Sequence, residues 1–334
     1  MKPILLHGHD RAITQVKYNR EGDLFFSCSK DKYPVVWFSA NGERLGTFGS
    51  EQQSINDRHN GAVWTIDVDW ESHKVITGSG DASWRLWDCE TGRTVSWQKT
   101  PTTVRCAAFS YSGNEFYYTT EMQAGHHCFL VVKDVRDPAQ MQDDKSIFEL
   151  DVMGNKITAA TWGPFDETII AGHSNGDLSI VEVRAKQFGK THSGAHAGLI
   201  MDIQKSKDEI MLVTASKDTT AKLFDSMTLD CMKTYKADRP VNSAAVSPIK
   251  QHILLGGGQE AMSVTTTDVR HGKFEARFFH MVFEEEFARV RGHFGPINSV
   301  AFHPDGNSFA TGGEDGYCRL HTLDPEYFEY ELQY

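Results

Sequence analysis

Long hydrophobic runs are missing from this chain. The longest, such as Phe129 to Val132, are far too short to cross a bilayer. The N-terminal stretch MKPILLHGHD has no apolar core of a secretory signal, so a cytoplasmic protein is expected. Paired cysteines are missing too. Cys28, Cys89, Cys106, Cys128, Cys231 and Cys318 are scattered without a C-x-x-C, which leaves no zinc knuckle or disulfide framework to propose. The 10 prolines form no cluster, and no segment is of low complexity, so no linker divides the chain. Basic runs are absent against a net charge of -11, which excludes a phosphate-tracking surface as the main feature. No segment holds a helical period beyond two turns, which excludes a helical bundle.

What is present is a repeat. SCSKDKYPVVW (Ser27 to Trp37), TGSGDASWRLW (Thr77 to Trp87), TASKDTTAKLF (Thr214 to Phe224) and TGGEDGYCRLH (Thr311 to His321) follow one template. Upstream lie His9, His59, His196 and His293. Each stands 22 residues before an aspartate (Asp31, Asp81, Asp218, Asp315) and 28 before the segment's last residue. Chance does not hold two spacings constant in four copies. Degraded copies fill the gaps. AGHSNGDLSIV carries Asn175 at the aspartate position, LGGGQEAMSVT carries Glu260 there, and Thr103 to Tyr118 keeps only the first half. Seven units of about 43 residues result, the period of a four-stranded propeller blade. Their short β-branched and aromatic runs, broken by turns such as Glu21-Gly22 and Asn41-Gly42, read as strands. The expected fold is all-β, a seven-bladed β-propeller.

Such a ring must close or expose a strand edge. Lys2 to Leu6 stand before His9 where an outer strand normally stands, as Arg44 to Phe48 stand before His59. They are expected to complete the blade begun at Pro296. Residues 1–325 then form a single propeller, with residues 326–334 a tail outside it.

The Gly8-His9 and Gly292-His293 pairs and the Trp87-Asp88 ending resemble the WD-repeat family over nearly the whole chain. Longer strings resemble a narrower family, subunit i of eukaryotic translation initiation factor 3. They are GGGQEA, VTTT, GKFEARFFH (Gly272 to His280), FEEEF, GHFGPINSVAFHP and QVKYNREGDLFFSCSKD with NGERLGT. The resemblance implies an accessory scaffold that docks a C-terminal helical segment of subunit b, contacts subunit g, and supports assembly on the small ribosomal subunit. One departure is the insertion Ser50 to Arg58, where Asn60-Gly61 after His59 replaces the Gly-His pair. A WD adaptor in signalling, for example bound to a receptor kinase, would share the fold. An enzymatic propeller would need one unmatched polar cluster at a tunnel mouth, and none is found.

Several residue sets invite chemistry. His59, Thr77, Asp81 and Trp87 resemble a hydrolytic triad, yet the set returns as His9, Ser27, Asp31 and Trp37. It returns in part as His196, Thr214 and Asp218, and as His293, Thr311 and Asp315. Repetition argues for a structural network joining a loop between blades to a turn. Gly256-Gly257-Gly258 lacks the Gly-Lys-Ser/Thr of a phosphate loop, and His126-His127-Cys128 lacks a second ligand cluster. No catalytic residue, metal or cofactor is expected. Blade six is about 12 residues overlong, and the excess is read as a loop between its third and outer strands. That loop would carry Phe274, Phe278, Phe279, Phe283 and Phe287, with Glu284-Glu285-Glu286 as a turn. Beside it, Asp208, Glu209 and Asp225 come from KSKDEI and FDSMTLD of blade five. The candidate partner-binding set is therefore Asp208, Glu209, Asp225, Phe278, Phe279 and Phe283, suited to an amphipathic helix carrying Arg or Lys.

Overall fold

Each short β-forming run is followed by a tight turn, so it pairs antiparallel with its sequence neighbour. The computed structural model describes residues 3–49, 57–123, 125–258 and 274–330, and these form seven four-stranded sheets. Blade one runs outward as Ile13–Tyr18, Leu24–Ser29, Val35–Phe38 and Arg44–Thr47. The inner strands of blades two to seven start at Val63, Val104, Ile157, Ile200, Val241 and Ile297. Successive inner strands touch, and the seventh touches the first, so the sheets close into a ring around a central channel.

Sheets arranged this way cover one another's faces, and the strand sequences reflect it. Second strands such as Lys74–Ser79 are buried on both faces and read as near-continuous apolar or small residues, whereas outer strands such as Arg44–Thr47 are exposed. Space between blades is tight at the fifth position of several second strands. A Cβ on Gly78 would overlap Val104 of the next blade, and one on Gly312 would overlap Ile13. Every inner strand carries a register shift near its start, as between Ile13 and Gln15 and between Val63 and Thr65. A bulge there adds twist to each blade. Side chains at the shifted position bridge neighbouring blades. Thr14 Oγ1 donates to the Val63 carbonyl at 2.6 Å, Asn242 Nδ2 to Ile297 at 3.0 Å, and Asn298 Nδ2 to Ile13 at 2.8 Å.

Blade seven takes its outer strand from the other end of the chain. Ile297–Phe302, Ser308–Gly313 and Cys318–Thr322 are followed by Ile4–Leu6, paired as Ile4 with Leu320, Leu5 with Arg319 and Leu6 with Cys318. Leu6 is buried in a cluster with Ile13, Val35, Trp37 and Leu320.

Three regions depart from the template. In blade three the lost second half is rebuilt by Phe129–Asp134 and Phe148–Asp151. Between them lies helix α1, Pro138–Gln142, capped by Asp137. The Lys133 ammonium is buried and donates to the carbonyls of Gln140 at 2.9 Å and Asp143 at 3.2 Å and to Gln98 Oε1 at 2.5 Å. Burial lowers its pKa to about 8, so it stays charged at neutral pH while tying α1 to blade two.

Blade six corrects the sequence reading. Its third strand is Glu275–His280, with Ile253 opposite Phe279 and Leu254 opposite Phe278. The long connection therefore lies between the second and third strands, and the third-to-outer turn is only residues 281–285. Phe278 and Phe279 are 1% and 3% exposed and belong to the core, so neither is a surface residue. Phe287 is partly buried against the same core. VTTT, Glu260 and most of the Ser50–Arg58 insertion lie outside the described residues.

The tail set apart at residue 326 is not separate from the core over its described part. Helix α2, Pro325–Glu329, buries Tyr327 beside His252, Phe278 and Phe287. Lys250 Nζ donates to the Phe328 carbonyl at 2.7 Å.

Phe278→Ala should cost about 3–5 kcal/mol, as removing a fully buried aromatic does. Urea unfolding checks this. A variant as stable as the parent would return Phe278 to the surface.

Candidate functional site

The recurring His, Ser/Thr and Asp residues meet as the spacing demands. In blade two Trp87 Nε1 donates to Thr77 Oγ1 at 2.8 Å, and Thr77 lies 2.7 Å from His59 Nε2. A carboxylate can only accept, so His59 Nδ1 carries the hydrogen it gives to Asp81 at 3.0 Å, and Nε2 of the neutral ring accepts from the Thr77 hydroxyl. Asp81 also accepts the Asn60 main-chain N–H at 2.8 Å and the Ser83 hydroxyl at 2.5 Å. Blade one repeats this through Trp37, Ser27, His9 and Asp31 at 2.8, 2.7 and 2.8 Å. Blade five uses His196, Thr214 and Asp218, with Phe224 in place of the indole. Blade seven uses His293, Thr311 and Asp315, and adds Arg319, which donates to Asp315 at 3.0 Å.

Each hydroxyl is fully buried and held beside its histidine, so it is not placed to attack a substrate. Burial alone would raise the Asp81 carboxyl. Hydrogen bonds and charge from His59, with Ser83 and Asn60, outweigh it and hold the group well below the ordinary carboxylate range. Burial lowers the His59 imidazole, and Asp81 only partly opposes that. At neutral pH the pair is therefore a neutral imidazole against a carboxylate. The degraded copy in blade four is not idle. Asp177 accepts the Gly194 N–H at 2.7 Å, and His173 Nε2 meets Ser179 at 2.7 Å.

These networks sit on the face formed by the loops between blades and the turns between second and third strands. The opposite face holds the other two loops of each blade. In blade five they are locked together, since Ser226 donates from Oγ to the Glu209 carbonyl at 2.7 Å and from N to Ile210 at 2.9 Å. Asp208 and Asp225 thus share a face. Asp225 Oδ1 accepts from Met227 N at 2.9 Å and Thr228 N at 2.8 Å. Glu209 is ion-paired with Lys205 at 2.7 Å. Lys233 of blade five reaches Glu284 of blade six at 3.5 Å, and Tyr235 donates to the Met281 carbonyl at 2.8 Å, which brings Phe283 beside blade five. Phe283 is 44% exposed. Of the three candidate phenylalanines it is the one at the surface.

Sequence reasoning missed Ile210, Met227, Ile249 and Val282, all exposed in these loops. The available signal was an apolar residue at a turn position that polar residues usually fill. Elsewhere, Gly256 and Gly257 end a second strand, and His127 is exposed and paired with Asp151 at 2.7 Å while Cys128 is buried. Among the described residues no group of His, Cys, Asp and Glu is arranged to hold a metal. No helix among them is long and apolar enough to span a membrane.

The sequence profile of the EIF3I family matches residues 1–333. The chain is 54% identical over 333 residues to eukaryotic translation initiation factor 3 subunit I of Danio rerio, covering 100% of both. It is 56% identical over 330 residues to the same subunit of Drosophila pseudoobscura pseudoobscura, covering 98% of this chain and 99% of that one. Among solved structures, the β-propeller domain of Myceliophteria thermophila Cps50 (Swd1) superposes with a TM-score of 0.77. It covers 97% of this chain and 100% of that one at 14% identity, a likeness of fold alone.

Asp81→Ala leaves buried donors unpaired and should cost about 2–4 kcal/mol at pH 7. A carboxyl depressed in the folded state stabilises fully above its unfolded pKa of about 4, and loses that effect as pH falls through its folded value. The deficit of the variant should therefore hold near neutrality and shrink below about pH 4. Urea unfolding across this range checks both, and curves that coincide with the parent at pH 7 would remove the network assignment.

Proposed function

Because the chain belongs to the EIF3I family, we propose that it works without catalysis, as a cytoplasmic scaffold subunit in translation initiation. In this reading it docks subunits b and g of initiation factor 3 and supports assembly on the small ribosomal subunit. The observation that carries the docking site is the face shared by blades five and six. There the exposed Ile210, Met227, Ile249, Val282 and Phe283 lie among the carboxylates of Asp208 and Asp225. Apolar loops with the Asp208 and Asp225 carboxylates beside them match an amphipathic helix that carries Arg or Lys on its polar side, the form expected of the subunit b segment. The buried hydroxyls of the repeat networks favour a structural role for the only triad-like sets among the described residues.

Charge reversal at Asp208 and Asp225 together should weaken binding of the subunit b C-terminal segment by more than tenfold. Phe283→Ala should weaken it independently. The fold should survive with a modest fall in melting temperature, because Asp225 and Asp208 also accept main-chain N–H groups of their own turns. Calorimetric titration decides it, and unchanged affinity in both variants would move the site elsewhere on the ring.

A further inference from the structure

We propose that the loops of blades two to four on this same face form a second docking surface, for an extended segment whose apolar side chains are flanked by Arg or Lys. The loops there are joined across blades. The Arg20 guanidinium lies 3.6 Å over the Trp70 ring, and Trp70 meets Tyr111 at 3.9 Å between ring centroids. Asp166 of blade four then accepts the main-chain N–H groups of Tyr111 at 2.6 Å and Ser112 at 2.9 Å. The result is a braced rim at the mouth of the channel.

On that rim Tyr111 is 51% exposed and Phe165 is 84% exposed. Phe165 and Asp166 both have positive φ, 59° and 57°, and they are the only adjacent non-glycine pair to do so among the described residues. A bulky aromatic rarely adopts that conformation. Here the Asp166 clamp holds the turn while the ring beside it stands in water. The core beneath Phe165 is filled by its buried neighbours Trp162 and Ile169.

Charge sets the partner's chemistry. Two arginines beside the aromatic steps are engaged, Arg20 on Trp70 and Arg136 with Asp134 at 2.7 Å. The same loops carry the carboxylates of Asp69, Glu71, Asp134, Asp137, Asp166 and Glu167, and Glu115 is raised by burial and by the charges of Asp134 and Asp166. Aromatic steps on successive loops suit a chain that follows the rim in an extended form, as aromatic-lined grooves take polyproline-type ligands. A cationic segment also gains from the loop carboxylates. The surface is separate from the blade five and six site, and neither reading needs the other.

The test is fluorescence anisotropy with a labelled (Pro-Leu-Arg)4 peptide and its (Pro-Leu-Glu)4 counterpart, using the full chain. The expected result is saturable binding of the first and at least tenfold weaker binding of the second. Tyr111→Ala and Phe165→Ala should each weaken the first by at least fivefold, Phe165→Ala with an unchanged melting temperature and Tyr111→Ala with a small fall, because Tyr111 also packs on Trp70. Charge reversal at Asp208 and Asp225 should leave it within twofold. No binding of the cationic peptide, equal binding of both peptides, or full binding by the Tyr111 and Phe165 variants would overturn the proposal. So would a 12-nucleotide oligouridylate that binds more tightly and loses affinity in the same variants.

Discussion

A sheet in this molecule is apolar on both faces, and it is stable only when another sheet covers each of them. That requirement governs the rest. It makes strands such as Leu24–Ser29 and Val35–Phe38 read as runs of apolar or small residues. It forces glycine at Gly78 and Gly312, where the next blade's inner strand passes. It also leaves no free end, because the seventh blade must meet the first. The chain satisfies this by lending Ile4–Leu6 to blade seven, which locks the two ends of the sequence into one sheet.

Closure separates the two loop faces by physical role. One face holds the His–Asp pairs, where carboxylates held below their ordinary range fix the loops between blades and leave little to adapt. Its hydroxyls are internal, so a triad-like composition becomes a brace. The other face carries loops whose residues are not dictated by the repeat. The apolar side chains and carboxylates at blades five and six, and the aromatic rim at blades two to four, are found there. Binding surfaces on a rigid ring are thus varied through loops without disturbing the strands.

How legible each part was in the sequence follows from how local its cause is. The steps of 22 and 28 residues were visible because one hydrogen-bonded chain, from Trp87 through Thr77 and His59 to Asp81, fixes both distances within a blade. The third strand of blade six was misplaced because VTTT stood where the template put a strand. What selects the real one is pairing across the sheet, which sets Phe278 and Phe279 against Leu254 and Ile253. The candidate site inherited that error, and only Phe283 of its phenylalanines survived at the surface. Helix α2 had a readable start in Asp324-Pro325, but its place depends on a pocket lined by His252, Phe278 and Phe287 from distant segments. Lys133 was opaque for a similar reason, since its carbonyl partners come from an insertion with no counterpart in the other blades.

The account rests on closure of the ring by the N-terminal strand, and removing residues 1–7 tests it most directly. Without them the edge of Cys318–Thr322 is bare and the cluster around Trp37 and Leu320 loses Leu6. Sedimentation and thermal melting of the truncated chain should show association or aggregation and a markedly lower melting temperature. Rejoining the same residues behind Tyr334 through a flexible linker should restore a stable monomer. A truncated chain that stays monomeric and melts with the intact protein would contradict the account.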